Sequence, residues 1–174
     1  NWADAPYTRE IAERVAGWRA ESRSLRESDH APVTMGRAIA EVRRALPPEG
    51  IVLTSSGNIQ AQVFQEMPFS LPRTYISAGG FSTMGWSFPA AMGAKLAAPD
   101  RPVVALVGDA ELDEGNVYEG LLEGWKHGLR NTWWVIVYNR QSLDGVVREG
   151  LYDRTEALFR AFDWSVVTLY LIHI

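Results

Sequence analysis

The chain of 174 residues contains no cysteine. That excludes disulfides, thiolate nucleophiles and zinc–thiolate sites together. It also lacks any apolar run approaching the ~18 residues of a membrane-spanning helix. NWADAPYTRE shows no basic-then-apolar pattern, so no secretory leader is expected there and a cytoplasmic setting is the expectation. Positive charge is not in excess. The 17 Lys and Arg stand against 21 Asp and Glu, a net charge of −4 that offers no electrostatic footprint for nucleic acid. Neither Gly-x-Gly-x-x-Gly nor a phosphate-loop lysine motif occurs, which weakens dinucleotide and nucleotide readings. What is present suits one globular domain: 47% of the residues are apolar, and a chain of this size buries roughly 70% of its unfolded surface.

The stretch from Val103 to Gly145 organises the rest. An apolar run, Val103 to Val107, ends at Gly108-Asp109. Val117, Leu121, Leu122 and Trp125 then recur at the spacing of one buried helix face. A second apolar run, Trp133 to Tyr138, ends at Asn139. In a right-handed strand–helix–strand unit both polar residues emerge at the carboxyl edge of the sheet, where open α/β folds bind ligands. Two oxygen-bearing side chains with no cysteine or nearby histidine suit a hard cation such as Mg²⁺ that phosphate oxygens also hold.

Along the chain, Ile11, Val15 and Trp18 mark an exposed amphipathic helix, followed by a charged stretch read as a linker, so residues 1–32 form an N-terminal helix and linker. A helix is expected from Thr34, its N-cap, with Ile39, Val42 and Leu46 inward and Pro47-Pro48-Glu49-Gly50 as the stop. Ile51–Leu53 reads as a short buried strand, Thr54 to Asn58 as a turn, and Ile59 to Met67 as a helix. A Ser- and Gly-rich turn opening a helix offers backbone N–H groups to an anion. A strand ending at Ser77-Ala78-Gly79-Gly80 precedes a small-residue helix from about Gly85. Leu151 to Phe162 reads as a helix and Trp164 to Leu169 as a further strand. The main domain is drawn at 33–170 and an atypical tail at 171–174.

Gly108-Asp109-Ala110 with Asn139 resembles the motif of thiamine diphosphate enzymes, a Gly-Asp-Gly at a strand end and an Asn about one βα unit later. The words GDAELDEGN and YNRQSLDG look like the transketolase branch and the first component of pyruvate dehydrogenase complexes. SAGGFSTMGWSFPAAMGAKLAAPDRPVV and SSGNIQ look like the acetolactate synthase and decarboxylase branch. The likeness therefore changes branch near Asp109, and a fusion, a chimera or an intermediate family all accommodate it. Ala110 departs from the motif's Gly, and its methyl is tolerated at negative φ but strained at positive φ.

The resemblance implies a three-layer, doubly wound parallel α/β sheet that binds thiamine diphosphate and Mg²⁺. It assigns the metal to Asp109, Asn139 and the backbone carbonyl of Gln141. It assigns the cofactor to Gly57, Asn58, Ser82, Thr83, Met84, Gly108, Asp109, Ala110, Glu111 and Asn139, with Ser82 and Met84 on the aminopyrimidine side. In the first branch Met84 holds the place of an apolar wedge, although core methionine is the plainer reading of that residue alone. The implied reaction is decarboxylation or carboligation of 2-oxo acids. The implied partners are a pyrimidine-binding domain, which supplies an activating glutamate, and further copies of the chain. No stretch reads as that second domain, so no catalytic acid or base is assigned here. The isolated chain is expected to be inactive, with Phe81, Met84 and Trp86 exposed on a bare face. A doubly wound phosphate or nucleotide module and a silent partner-packing fragment are the alternatives.

Overall fold

A computed structural model describes residues 5–129, 131–139, 141–142, 145–146 and 150–169. The tail at 171–174 lies outside the described residues.

The centre is β3 (Val103–Gly108), apolar on both faces. Val103, Ala105 and Val107 point into one hydrophobic layer, Val104 and Leu106 into the other. A parallel strand covered on both sides reads as a continuous hydrophobic run. Strand β1 (Ile51–Thr54) divides in the same way, with Ile51 and Leu53 on one side and Val52 on the other. With β2 (Tyr75–Ser77) and β4 (Thr132–Val137) they form one parallel sheet in the order β2-β1-β3-β4.

Helices cover both faces. On the first, α5 (Ser87–Ala97), α6 (Gly115–Lys126) and α7 (Leu151–Ala161) contribute Phe88, Ala91, Val117, Leu121 and Phe159. On the second, α3 (Met35–Ala45) and α4 (Asn58–Glu66) contribute Ile39, Ile59 and Val63. This is the three-layer α/β architecture expected from the sequence. Thr34 caps α3 as expected, its Oγ1 accepting from the Arg37 N–H at 3.2 Å.

The N-terminal helix α1 (Pro6–Glu21) buries no residue. It is fastened by its polar groups, since Trp18 Nε1 donates to the carbonyl of Gln65 at 3.0 Å. The short α2 (Arg23–Arg26) occupies part of the charged stretch after it, and Arg26 pairs with Glu66 at 2.8 Å.

Two local readings change. Trp164–Leu169 is not a strand: no ladder holds it among the described residues. The alternation that suggested one is present, with Trp164 and Val166 packed against the core beside Trp134. The backbone is held by α7 instead, through Trp164 N–H to Phe159 O at 3.1 Å and Arg160 Nη2 to Val166 O at 3.3 Å. An inward–outward pattern needs one apolar surface, and a helix provides it as well as a sheet does. The residues after Asn139 also form an unforeseen antiparallel hairpin, β5 (Gln141–Ser142) with β6 (Gly145–Val146).

The Phe88 side chain is fully buried and stacks on Trp134 with ring centroids 4.2 Å apart. Phe88→Ala should lower unfolding free energy by about 3–5 kcal/mol, read as a shifted urea midpoint. A change under about 1 kcal/mol would place the core elsewhere.

Candidate functional site at the carboxyl edge of the sheet

Because the four strands are parallel, their carboxyl ends share one edge. The order β2-β1-β3 makes β1 the reversal point, with the next strand on one side and the following one on the other. A crevice for ligands opens outside the strand ends at such a point.

The turn after β1 contains Ser55, Ser56 and Gly57. Gly57 is the N-cap of α4 at φ 84°, and apart from its chain neighbours nothing lies within 4 Å of where its Cβ would be. Asn58 opens α4 and is exposed. Gln60 N–H already bonds the Gly57 carbonyl at 3.1 Å, and the N–H groups ahead of it open the helix, the usual basis for anion binding.

The loop after β2 carries Ser82, Thr83 and Met84. Ser82 has a left-handed φ of 53°, a strained state for a residue with a side chain. Its Oγ lies 3.2 Å from Ser55 O and 3.1 Å from Gln60 Oε1, so the β1 turn braces it. Gln60 in turn donates to Ser55 O at 2.7 Å. The expectation of three exposed apolar groups holds for Phe81, which is 98% exposed. It fails for Met84 and Trp86, which are half-buried, Trp86 against the core. Between them Gly85 is tethered, its N–H donating to Glu111 Oε2 at 3.0 Å.

After β3, Asp109 to Asp113 form a 3₁₀ turn rather than entering the helix directly. Gly108 is half-buried and Asp109 buried. Ala110 lies within this turn and not among the residues of positive φ, so its methyl brings no backbone strain. Gly108 pairs with Val137 in the β3–β4 ladder, which sets Asp109 and Asn139 just beyond neighbouring strand ends. Asn139 is half-buried. Strand β5 lies beside the 3₁₀ turn.

Glu111 joins these loops. It is 2% exposed, and its Oε1 accepts from Gly108 N–H at 3.3 Å while Oε2 takes Gly85 N–H. The Ser55 hydroxyl and Ser56 N–H also reach it. Burial pushes its carboxyl above the usual range, and these hydrogen bonds hold the rise back. Ser55 Oγ further accepts from Ser87 N–H at 2.7 Å, at the start of α5. Ser55, Gln60 and Gly85 were not singled out from the sequence. Only the Ser-Ser-Gly turn gave a local sign of them.

The donors near β3 and β4 are oxygens and amides, a set that fits a hard cation and a phosphate better than a soft metal. The fold and edge thus define a doubly wound α/β domain whose turns gather oxygen side chains and helix N–H groups at one edge of the sheet.

Comparison with known proteins makes this specific. The family described as "Thiamine pyrophosphate enzyme, C-terminal TPP binding domain" matches residues 55–149, more than half of the chain. The chain belongs to this family of thiamine diphosphate-binding domains. The match runs across Asp109, through both halves of the mixed resemblance. The acetolactate synthase large subunit of Lactococcus lactis is 36% identical over 116 residues, 64% of this chain and 19% of that protein. A sulfoacetaldehyde acetyltransferase from Castellaniella defragrans is 36% identical over 73 residues, 42% of this chain and 12% of that protein. The chain thus spans about a fifth or less of these relatives. A solved structure described as "a putative thiamin diphosphate-dependent enzyme isolated from Mycobacterium smegmatis" superposes with a TM-score of 0.67 at 22% identity, covering 80% of this chain and 27% of that one. These findings favour the cofactor reading over a general nucleotide module.

Gly85 is where the site depends most on a missing side chain. Its φ is 74°, and a Cβ would lie 2.5 Å from Asn116 Oδ1 and 2.7 Å from Glu114 Cβ. Gly85→Ala should therefore destabilise the chain by at least about 1–2 kcal/mol, the left-handed penalty alone. Thermal unfolding measures it, and an unchanged midpoint would show that the turn relaxes freely.

Proposed function

We propose that this chain is the diphosphate- and Mg²⁺-binding part of a thiamine diphosphate enzyme that decarboxylates or joins 2-oxo acids. The observation that supports the proposal is the pairing of Gly108 with Val137, after which Asp109 follows β3 directly and Asn139 comes two residues beyond β4 at the same edge of the sheet. In this reading Asp109, the Asn139 side-chain oxygen and the Gln141 carbonyl would hold Mg²⁺, which would neutralise charge on the diphosphate. Gly57 and Asn58 receive the other phosphate oxygens with helix N–H groups. Gly108, Ala110 and Glu111 line or support the metal side. Ser82, Thr83 and Met84 receive the aminopyrimidine side.

When bound, thiamine diphosphate supplies a nucleophilic ring carbon for breaking or forming bonds next to a carbonyl, while protein groups position and tune it. This chain's share is binding and orientation. The activating carboxylate comes from a pyrimidine-binding domain elsewhere in the protein or in another copy, and no catalytic acid or base is assigned here. Support for a larger protein comes from the small part of each relative that the chain spans. The exposed Phe81, at the rim of the same edge, supports a docked partner there.

Calorimetry with thiamine diphosphate and Mg²⁺, against NAD and ATP, tests the reading. Asp109→Ala should abolish Mg²⁺-dependent binding, because it removes the one charged side chain proposed at the metal. Asn139→Ala should weaken binding in the same direction. An Asp109→Ala chain that binds as well as the parent would sink the assignment.

Turnover of pyruvate and other 2-oxo acids by the 174-residue chain alone should be absent even with saturating cofactor and Mg²⁺. Robust activity from a monomer of measured mass would show that the activating carboxylate lies within this chain.

A further inference from the structure

We infer that Glu111 is a positioning residue rather than a cofactor ligand: its carboxylate couples the metal-side turn at Gly108-Asp109 to the Ser82–Met84 turn. The inference rests on the functional reading above and assigns this residue a different part in it.

The geometry is specific. The two carboxylate oxygens face two different loops, Oε1 taking Gly108 N–H at 3.3 Å and Oε2 taking Gly85 N–H at 3.0 Å. Gly108 immediately precedes Asp109, and Gly85 immediately follows Met84. With 2% of its surface exposed, the side chain is committed inward. The same carboxylate meets the Ser55 hydroxyl and Ser56 N–H, so the β1 turn enters the same cluster. A direct ligand would point its oxygens at the crevice. Both oxygens of Glu111 are instead taken by backbone donors, Gly108 N–H and Gly85 N–H.

A carboxylate is the side chain this arrangement needs. It offers two acceptor oxygens and no obligatory donor when ionised. An amide of the same shape offers one oxygen and one NH₂. In Glu111→Gln, whichever way the amide turns, Gly85 N–H or Gly108 N–H faces a donor and loses its partner. One loop is then released while the fold's hydrophobic layers are untouched. Hydrogen-bond networks are one carrier of coupling between sites, and here the bridging group is a single carboxylate with one oxygen on each loop.

The test is amide hydrogen exchange by NMR on the full chain, free and with magnesium pyrophosphate. This probe carries the diphosphate chemistry but no aminopyrimidine, so it has nothing of its own for the Ser82–Met84 turn. In the parent chain it should slow exchange at Gly108 and, in step with it, at Gly85. In free Glu111→Gln, Gly85 or Gly108 should exchange about tenfold faster than in the parent, as expected for losing a hydrogen bond to a charged group. Amides of β1 and β3 should keep their rates, and magnesium pyrophosphate should no longer slow Gly85.

Two results overturn the inference. One is protection of Gly108 without Gly85 in the parent, a measurement that needs no variant to fold. The other is a Glu111→Gln chain that loses probe affinity while its free Gly85 and Gly108 amides exchange as in the parent, which would make Glu111 a direct ligand. If the probe leaves Gly108 unaffected in the parent, the diphosphate reading itself fails, and the exchange rates of the free variant still decide whether the tether exists.

Discussion

Strand β3 has no water on either face, and the rest of the molecule follows from that. Val103, Val104, Ala105, Leu106 and Val107 are all at most 2% exposed. A strand dry on both sides needs a hydrogen-bonding neighbour at each edge and a helical layer above and below. β1 and β4 supply the edges, and two separate hydrophobic clusters supply the layers. Polar chemistry cannot be placed along such a strand. It can appear only where the strand stops, and the first polar side chain after Gly108 is Asp109.

Parallel pairing then does the gathering. Turns that lie far apart in the chain arrive at one edge because each of the four strands ends there. Their mutual positions are not set by the sheet alone, since loops of this length have many routes. Here they are fixed by polar contacts among the loops: Ser82 on Ser55 and Gln60, Ser87 on Ser55, Gly85 and Gly108 on Glu111. A buried carboxyl group is tolerable only when donors surround it. The donors available in this place are the backbone N–H groups of the loops that have to be held.

Two positions show how small residues divide their work. The family motif has Gly where this chain has Ala110, yet the 3₁₀ turn gives Ala110 a conformation any residue can adopt. At Gly85 the reverse is true, for both the positive φ and the contact with Asn116 and Glu114 exclude a methyl. Motif spelling pointed to the first position as the sensitive one, while conformation points to the second.

Sequence alone determined what depends on near neighbours. The dry runs Val103–Val107 and Trp133–Tyr138, the cap at Thr34, the stop at Pro47–Gly50 and the polar residues at two strand ends are set by periodicity and turn chemistry within a few residues. Those runs, with the resemblance at Gly108-Asp109 and Asn139, were enough for the sheet, its layers and the edge at which its turns meet. Only the tertiary structure decided which loops touch. Glu111 reads in the sequence as one acid among several in ELDEGN, and nothing local says that its partners are Gly85 and Ser55. Gln60 gives no sign of bracing Ser82, and Trp164–Leu169 keeps a strand's alternation while α7 holds it. These outcomes turn on pairs far apart in the chain, whose meeting depends on how whole layers pack, and local propensity carries no information about that.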